Sequence, residues 1–393
     1  MIDVYQAAKE IEADTIANRR HLHQHPEVGL DLPHTCEFIS EKLTEYGLFP
    51  QVCGKGVSAC VGSGSKCILL RADTDAVAVQ ENSGLDFASK IDGVSHCCGH
   101  DMHAAMLLSA ARLLKAHENE LNGCVKFMFQ PAEETFEGAK NMIEAGVLEA
   151  PHVNAAMGLH VTPYLPFNMK CGSFAYNSSE TLMNSADTFR ITIFGKGSHG
   201  GYPHNSIDPI NVASHIVLNL QSLIAREVEP SKSNVLTIGK FSAGSAGNVI
   251  PSKAVLEGSI RSNCVKSREK LRSRLQEVSL QTAEMFCAGA QVDFLSEVPP
   301  LICDNGVTEQ MVNCIAALDA PDLKPIPNIH ISASEDFALV AQQVPCAFFF
   351  LGAGVGGPHS KFISHHESVV FDEDVLVFGT AAYVTCALEY LNN

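Results

Sequence analysis

The chain has 393 residues, 46% of them hydrophobic, which is longer than one ordinary core requires and typical in composition of a folded globular protein. Its 27 basic and 44 acidic side chains give a formal net charge of −17, which argues against a nucleic-acid or anionic-membrane partner. The N-terminal residues lack a secretion-signal pattern and no apolar run reaches the ~18 residues of a spanning helix, so we predict a cytoplasmic protein of two domains with mostly reduced cysteines.

The first part of the chain alternates helical and buried-strand patterns. Apolar spacing predicts helices over 5–24, 34–46 and 101–117, and short continuous apolar runs predict buried strands over 66–72, 125–129 and 155–159. Each of these strands is followed by polar residues: Asp73 and Asp75 after the first, Glu133 and Glu134 after the second, and His160 after the third. Because sites in α/β folds form outside the carboxyl ends of parallel strands, we expect these residues to meet at one edge of a mostly parallel sheet.

The pattern changes near residue 180. Strands are predicted over 187–194, 234–241, 253–262 and 290–295, with helices over 206–226 and 266–286. This βαββαβ order predicts an inserted domain over 183–296, while 1–182 and 297–393 form the main domain with a further buried strand near 344–351 and a closing helix over 373–391. The first inserted strand alternates apolar and polar residues, which favours a half-exposed strand with a free edge for a second copy of the chain.

Two clusters carry the chemistry. Cys98 and His100 form a Cys-x-His pair on a turn that Gly99 allows, directly before a helix. Glu133 and Glu134 follow a deeply buried strand, where two adjacent carboxylates need a cation or a proton. The sequence therefore predicts that one glutamate binds metal while its neighbour remains available as a base.

Histidines at two other places complete a possible ligand set. His160 and the pair His365 and His366 are ambiguous when taken alone, because a satisfied core histidine is more common than a ligand. Together with the two clusters they exceed the four ligands of one zinc ion, which favours two metals that share a bridging group. Such a site activates water, and a free glutamate can pass the water's proton to a leaving amine, so the chemistry indicated is amide hydrolysis.

The chain resembles the M20 metallopeptidase family, and within it the amidohydrolase branch of hippurate hydrolases, N-acyl-amino-acid deacylases and auxin-conjugate hydrolases. The resemblance covers nearly the whole chain. It rests on Arg-Arg-His-Leu-His-Gln-His-Pro-Glu at 19–27, Leu-Arg-Ala-Asp-Thr-Asp at 70–75, Cys-Gly-His-Asp-Met-His at 98–103, Gln-Pro-Ala-Glu-Glu at 130–134, Gly-Leu-His at 158–160, Gly-Ser-His-Gly-Gly-Tyr-Pro-His at 197–204, Gly-Asn-Val-Ile-Pro at 247–251, Gly-Ser-Ile-Arg at 258–261 and Ser-Glu-Asp-Phe at 334–337.

The resemblance implies a fold and a set of roles. The fold is an α/β, mostly parallel-sheet dinuclear metallohydrolase domain with an inserted βαββαβ lid and dimerisation domain. The implied metal ligands are Cys98, His100, Glu134, His160 and His365, the last chosen over His366 and His359 by its spacing to 371–374. Glu133 corresponds to the general base, Asp75 to the acid that orients the site, His199 to a histidine that reaches the scissile carbonyl, and Asn248 and Arg261 to groups near the substrate carboxylate.

The implied protein binds two divalent ions, Zn²⁺ or Mn²⁺, hydrolyses small N-acyl amino acids, and forms a homodimer through the inserted domain. Three other interpretations are weaker. A catalytically inactive small-molecule binding protein on the same fold would not need both glutamates, and a dipeptidase shares the same chemistry. The glycine-rich run at 352–357 invites an oxidoreductase interpretation, but it lacks the helix and the downstream acid of a dinucleotide site.

Overall fold

The structure is a computed structural model that describes residues 2–163, 171–318, 320–321 and 323–392. It divides into two compact units. The first, called here the main unit, comprises Met1–Leu182, Ile302–His330 and Asp336–Asn393, and the second, the inserted unit, comprises Met183–Leu301 and Ile331–Glu335. Compared with the predicted insertion over 183–296, the inserted unit thus also holds 297–301 and a short return segment.

The strands are β1 (Gln51–Cys53), β2 (Gly56–Gly62), β3 (Cys67–Asp73), β4 (Cys124–Gln130), β5 (Ala155–Thr162), β6 (Phe174–Ala175), β7 (Thr181–Met183), β8 (Ala186–Phe194), β9 (Ser198–His199), β10 (Asn234–Ala243), β11 (Val249–Ile250), β12 (Lys253–Ser262), β13 (Gly289–Val298), β14 (Leu301–Ile302), β15 (Pro325–Ile326) and β16 (Cys346–Gly352). The helices are α1 (Val4–Glu10), α2 (Glu12–Gln24), α3 (Pro33–Glu45), α4 (His100–Ala116), α5 (Gly138–Glu144), α6 (Pro209–Ser222), α7 (Val265–Met285), α8 (Asn305–Ala316), α9 (Ala338–Ala341) and α10 (Val375–Asn392).

The main unit is built on a sheet with the strand order β1-β2-β4-β3-β5-β16-β6-β15. Its centre, β4-β3-β5-β16, is parallel, and antiparallel pairs occur on both sides of that centre. The central strands β3, β4 and β16 are buried along their whole length, which explains their continuous apolar sequences. The predicted mixed α/β fold with a large, mostly parallel sheet is confirmed.

The first predicted helix of the main unit is divided in two in the structure. The helix predicted over 5–24 is interrupted at Ile11, whose φ of −103° and ψ of 9° end α1 before α2 begins.

Helix α10 is long and apolar enough to cross a membrane by length and composition, but 83% of it is buried inside the protein. It is therefore a core helix of the main unit, in contact with α4.

The inserted unit contains one antiparallel sheet in the order β10-β12-β8-β13, with α6 and α7 packed against it around a separate apolar core. Its larger elements follow the chain order βαββαβ. Strand β8 pairs with β12 on one side and with β13 on the other. The expectation that this first strand offers a free edge is therefore wrong, because the apolar–polar alternation reports side-chain faces and not the position of a strand within its sheet. The outer strands of this sheet are β10 and β13.

Candidate metal centre

Three parallel strands bring the predicted residues of the main unit to one edge of its sheet. Asp73 is the last residue of β3 and pairs in register with Gln130, the last residue of β4. His160 lies near the end of β5, which runs parallel to β3 on its other side. The shared direction of these strands is what gathers side chains separated by up to about ninety positions in sequence.

The Cys-x-His turn is shaped by a close backbone approach. Gly99 adopts a left-handed φ of 91°, and a Cβ atom at this position would lie 2.4 Å from Cγ2 of Val161. Only glycine fits both constraints, so the turn can seat Cys98 beside the end of β5 and begin α4 at His100. Cys98 Sγ consequently lies 3.4 Å from Nε2 of His160.

Hydrogen bonds fix which ring nitrogen each histidine presents. His100 donates from Nδ1 to the backbone oxygen of Asp75 at 2.8 Å, and His160 donates from Nδ1 to the oxygen of Val161 at 2.6 Å. A carbonyl can only accept, so in a neutral ring the lone pair is on Nε2 in both cases. Both imidazoles are thus set in the tautomer that binds metal through Nε2.

The two adjacent glutamates are held by one carboxylate. Asp75 accepts hydrogen bonds from the backbone N–H groups of Glu133 and Glu134, at 3.0 Å and 3.1 Å. Ala132, just before the pair, adopts a left-handed φ of 53°. Asp75 therefore orients the pair through their backbone, and its side chain is engaged in this task.

His365 reaches the site and its neighbour does not. Nε2 of His365 lies 3.0 Å from Oε1 of Glu134, while the His365 backbone N–H donates to the oxygen of Cys97 at 2.9 Å. His365 holds a left-handed φ of 69°, a strained conformation for a side chain with a Cβ that is often found at functional sites. Nδ1 of His366 instead accepts the backbone N–H of Ser368 at 3.0 Å.

The ligand-type atoms form two triads that share one sulfur. Cys98, His100 and His160 form the first triad, and Cys98, Glu134 and His365 form the second; within each, the atoms lie within 4.8 Å of one another. A third group of the same kind joins His100 to Glu133 and Glu134, which places a Glu133 carboxylate oxygen beside both triads. All five predicted ligands are thus brought together, with Cys98 in the shared position.

Two observations show that this pocket fits cations. Among the residues that the structure describes, Nε2 of His100 is buried without a hydrogen-bond partner, and Oε1 of Glu134 is also buried and has only Nε2 of His365 beside it. Burial raises the pKa of the Cys98 thiol well above its usual range, so a thiolate here requires a nearby positive charge. A thiolate, imidazoles and a carboxylate around such atoms are a donor set that suits divalent metal ions.

The histidine pKa values agree with this interpretation. Burial, together with the neighbouring His103 imidazole, lowers the pKa of His160 to about 3, so this ring is neutral and its lone pair is available. Burial also opposes charge on His100, but the Asp73 carboxylate and Cys98 prevail and raise the pKa of His100 well above its ordinary value. Without metal, the position facing Asp73 and Cys98 is one that favours positive charge.

The sequence placed Asp73 at the expected edge of the sheet without a defined role, and it gave no role to Arg71 or His103; all three are buried beside the first triad. Asp73 receives a hydrogen bond from Nη1 of Arg71 at 2.7 Å and another from Nδ1 of His103. Arg71 also donates from Nη2 to Asp336 at 3.1 Å. The available signal was the spacing of His100 and His103, three residues apart and therefore on one face of α4.

The remaining predicted residues lie in the inserted unit. His199 in β9 pairs with Val249 in β11, which brings His199 next to Asn248; the Gly200 N–H donates to the Asn248 backbone oxygen at 2.8 Å. Arg261 lies on β12 and donates from Nη1 to Oγ of Ser334 at 2.7 Å. The structure thus groups His199 with Asn248 and gives Arg261 a different partner within the unit.

Comparison with known proteins identifies the lineage. The model of peptidase family M20/M25/M40 matches residues 69–389. The chain belongs to this family. It is 37% identical over 371 residues to the N-acetyl-L-cysteine deacetylase of Bacillus subtilis, covering 93% of this chain and 86% of the relative. It is 36% identical over 391 residues to the IAA-amino acid hydrolase ILR1-like 4 of Arabidopsis thaliana, covering 95% and 84%.

Two further proteins extend the comparison. Thermostable carboxypeptidase 1 of Saccharolobus solfataricus is 33% identical over 393 residues, covering 98% of this chain and 97% of the relative. The crystal structure of the Bacillus subtilis YXEP protein, a dinuclear metal-binding peptidase of the M20 family, matches with a TM-score of 0.81 at 30% identity, covering 98% of this chain and 99% of that one. The predicted membership of the M20 amidohydrolase branch, and of hydrolases acting on amides, is confirmed.

Proposed function

We propose that this M20 hydrolase cleaves the amide bond of N-acyl amino acids or related small amide conjugates, and releases a carboxylic acid and a free amino acid. The observation that carries the proposal is the pair of triads sharing Cys98, with the carboxylate of Glu133 beside both. Five metal ligands and one further buried carboxylate are what water-driven amide hydrolysis requires. The names of the deacetylase and the IAA-amino acid hydrolase support the substrate class.

The centre would hold two divalent ions, Zn²⁺ or Mn²⁺, through Cys98, His100, Glu134, His160 and His365. When bound, such ions polarise the amide carbonyl and lower the pKa of a water molecule toward ~7. Glu133 takes a proton from that water as the water oxygen bonds to the carbonyl carbon. Glu133 then delivers the proton to the amide nitrogen as the C–N bond breaks. Asp75 keeps Glu133 in place through the backbone hydrogen bond at 3.0 Å.

His199 is assigned to the carbonyl oxygen. The Gly201 backbone N–H donates to Nδ1 of His199 at 3.0 Å, so the neutral ring carries its proton on Nε2. The His199 side chain is exposed, and its Nε2–H is available to a bound substrate. A neutral N–H donor of this kind stabilises the oxyanion that forms when water adds to the amide.

Asn248 and Arg261 are assigned to the substrate carboxylate. Arg261 uses Nη1 to contact Ser334, and a guanidinium has further N–H groups in the same plane for a carboxylate. The alternative for Arg261 is that it is a charged side chain on a strand and takes no part in substrate binding. The alternative for the whole site is a dipeptidase, and the name of the Saccharolobus carboxypeptidase supports only the broader point that a relative acts on peptides.

We further propose a cytoplasmic homodimer that associates through the inserted unit. All 14 cysteines are free thiols, as in proteins of a reducing compartment. The edge available for pairing is β10 or β13, and β10 exposes Val235 and Phe241 at 45% and 43%. Light scattering at micromolar concentration tests the dimer, and a monomer would reject it.

The decisive experiment compares two neighbouring residues. Glu133→Gln should keep both metals and lose roughly 10²–10⁴-fold or more in kcat, since an amide cannot take the water's proton. Glu134→Gln, the matched variant, should lose metal. Elemental analysis and turnover of a panel of N-acetyl, N-benzoyl and long-chain N-acyl amino acids, with dipeptides included, separate the outcomes. Near-normal turnover by metal-replete Glu133→Gln would refute the assignment, and preferential cleavage of dipeptides would replace the substrate class.

A further inference from the structure

His103 lies between two of the strand ends that supply the first triad. Its Nε2 accepts the backbone N–H of Val161 at 2.7 Å, directly after the ligand His160. Its Nδ1 must then carry the proton of the neutral ring, and it donates to Oδ1 of Asp73 at the end of β3. Both nitrogens are engaged with protein, so His103 is not available as a ligand even though it lies within ligand distance of His100 and Asp73.

Asp73 is held from the other side as well. Its Oδ2 accepts from Nη1 of Arg71 at 2.7 Å and lies 3.7 Å from Nε2 of His100, the buried atom without a hydrogen-bond partner. The Asp73 carboxylate has no exposed surface. A fixed negative charge therefore faces the metal-binding atom of His100, at a distance that excludes a direct hydrogen bond but allows strong attraction for a cation.

The arrangement is specific to one triad. His103 contacts the chain next to His160 and the carboxylate next to His100, and both of those histidines belong to the first triad. Within the part of the chain that the structure describes, the hydrogen bonds of His103 go to Asp73 and Val161 and not to Glu134 or His365, the two members found only in the second triad. Loss of His103 should therefore weaken one metal position far more than the other.

We propose that His103 is a positioning residue that sets the affinity of the first triad, Cys98–His100–His160, for its metal ion by fixing the Asp73 carboxylate and the end of β5. The inference rests on the proposed ligand set, and it goes beyond it by predicting that the two metal positions differ in affinity through a residue that touches neither ion. Contacts behind metal ligands commonly change affinity by about 10–100-fold.

The test measures metal binding and not turnover. Full-length protein is stripped of metal, reloaded with Zn²⁺, and titrated with a chelating dye, while elemental analysis counts the ions per chain. His103→Ala should release one of the two ions about 10–100-fold more easily and leave the other unchanged. His103→Asn can still donate to Asp73 from its amide but cannot reach Val161, so it should recover part of the loss. When Co²⁺ replaces Zn²⁺, the visible absorption of the ion in the first triad should change most in His103→Ala and less in His103→Asn.

Ser109→Ala is the matched control. Ser109 is buried on the same helix and contacts Oγ1 of Thr15 at 2.7 Å, so its removal disturbs α4 without touching the triads. It should lower the unfolding temperature and leave both Zn²⁺ affinities as they were. If His103→Ala does not fold, the comparison of His103→Asn with Ser109→Ala decides.

Three results would overturn the inference: equal weakening of both ions, unchanged affinities in the His103 variants, or an effect matched by Ser109→Ala. Cys98→Ser separates this failure from failure of the proposed function. Cys98→Ser should lose both metal ions, and if it keeps them the proposed ligand set is wrong. If Cys98→Ser loses both ions while the His103 variants bind metal as the unmodified protein does, only the role of His103 is rejected.

Discussion

The Asp75 carboxylate gives the sharpest structural prediction, because both of its oxygens hold the glutamate pair while one of them, Oδ1, also lies 3.5 Å from Nδ1 of His100. Both oxygens accept backbone N–H groups, from Glu133 at 3.0 Å and from Glu134 at 3.1 Å, and the residue is 1% exposed. In Asp75→Asn the amide oxygen can still accept one of the two backbone N–H groups. The amide NH₂ group would face the other backbone N–H, and two donors cannot form a hydrogen bond. One charge-assisted hydrogen bond, worth about 1.5–3 kcal/mol, is lost and a buried N–H is left unpaired.

We therefore expect the free energy of unfolding of metal-free Asp75→Asn to fall by about 2–3 kcal/mol. Catalysis should suffer further, since a shift of Glu133 by ~1 Å misplaces the base and can lower kcat about 10²-fold. Urea denaturation measures the first effect, and kcat at saturating metal and substrate measures the second. The hydrogen bond from His100 to the Asp75 backbone oxygen, at 2.8 Å, is shorter than the 3.5 Å contact with the Asp75 carboxylate and is kept in the variant, so metal content should stay largely intact.

Asp304→Asn provides the control for the chemical change. Asp304 caps α8 by accepting the Val307 N–H at 2.8 Å, and asparagine caps helices about as well as aspartate. This variant should alter neither stability nor kcat measurably. If Asp75→Asn behaves like Asp304→Asn in both assays, the proposed orientation of the glutamate pair by Asp75 is wrong.

Three further predictions concern other parts of the chain. Cys98→Ser should lose metal by elemental analysis while Cys97→Ser keeps it, because only Cys98 belongs to the triads; full occupancy in Cys98→Ser would contradict its role. His199→Ala should lower kcat about 10²-fold with unchanged metal content, and an unchanged kcat would reject the oxyanion assignment. Burial alone would raise the pKa of Glu81, but hydrogen bonds from His23, Ser83 and Ser89 lower it to about 2, below the ordinary 4.5. The stability that Glu81 supplies is thus complete above pH 4.5 and is lost as the pH falls toward 2. Glu81→Gln should therefore flatten the pH dependence of the free energy of unfolding between pH 4.5 and 2, and parallel curves for the variant and the unmodified protein would refute this.

The secondary structure and the residues of the metal centre were largely predictable from the sequence. Continuous apolar runs identified β3, β4 and β5, and the polar residues at their ends pointed to Glu134 and His160 as candidate ligands, because a buried parallel strand leaves few other places for such side chains. The other candidates, Cys98, His100 and His365, came from the Cys-x-His pattern and from the family resemblance. The turn at Gly99 was also visible, since glycine between two ligand types indicates a bend.

Features that depend on contacts between distant segments required the tertiary structure. The resemblance favoured His365 over His366 by its spacing to 371–374, but the contact of His365 with Glu134 depends on a left-handed backbone and a hydrogen bond to Cys97, neither of which has a signature in the sequence. The interior position of β8 depends on β12 and β13, which pair with it from far along the chain.

The sequence by itself determined which chemical groups this protein can bring to a metal centre, since strand periodicity and motif spacing are local properties. The tertiary structure decided how those groups are arranged: Cys98 is shared by two triads, Asp75 holds two backbones, and His103 braces Asp73 and β5. The physical reason is that tautomers, shared ligands and buried hydrogen bonds depend on distances of a few ångströms between side chains. The packed sheet sets those distances, and the spacing of residues along the chain does not reveal them.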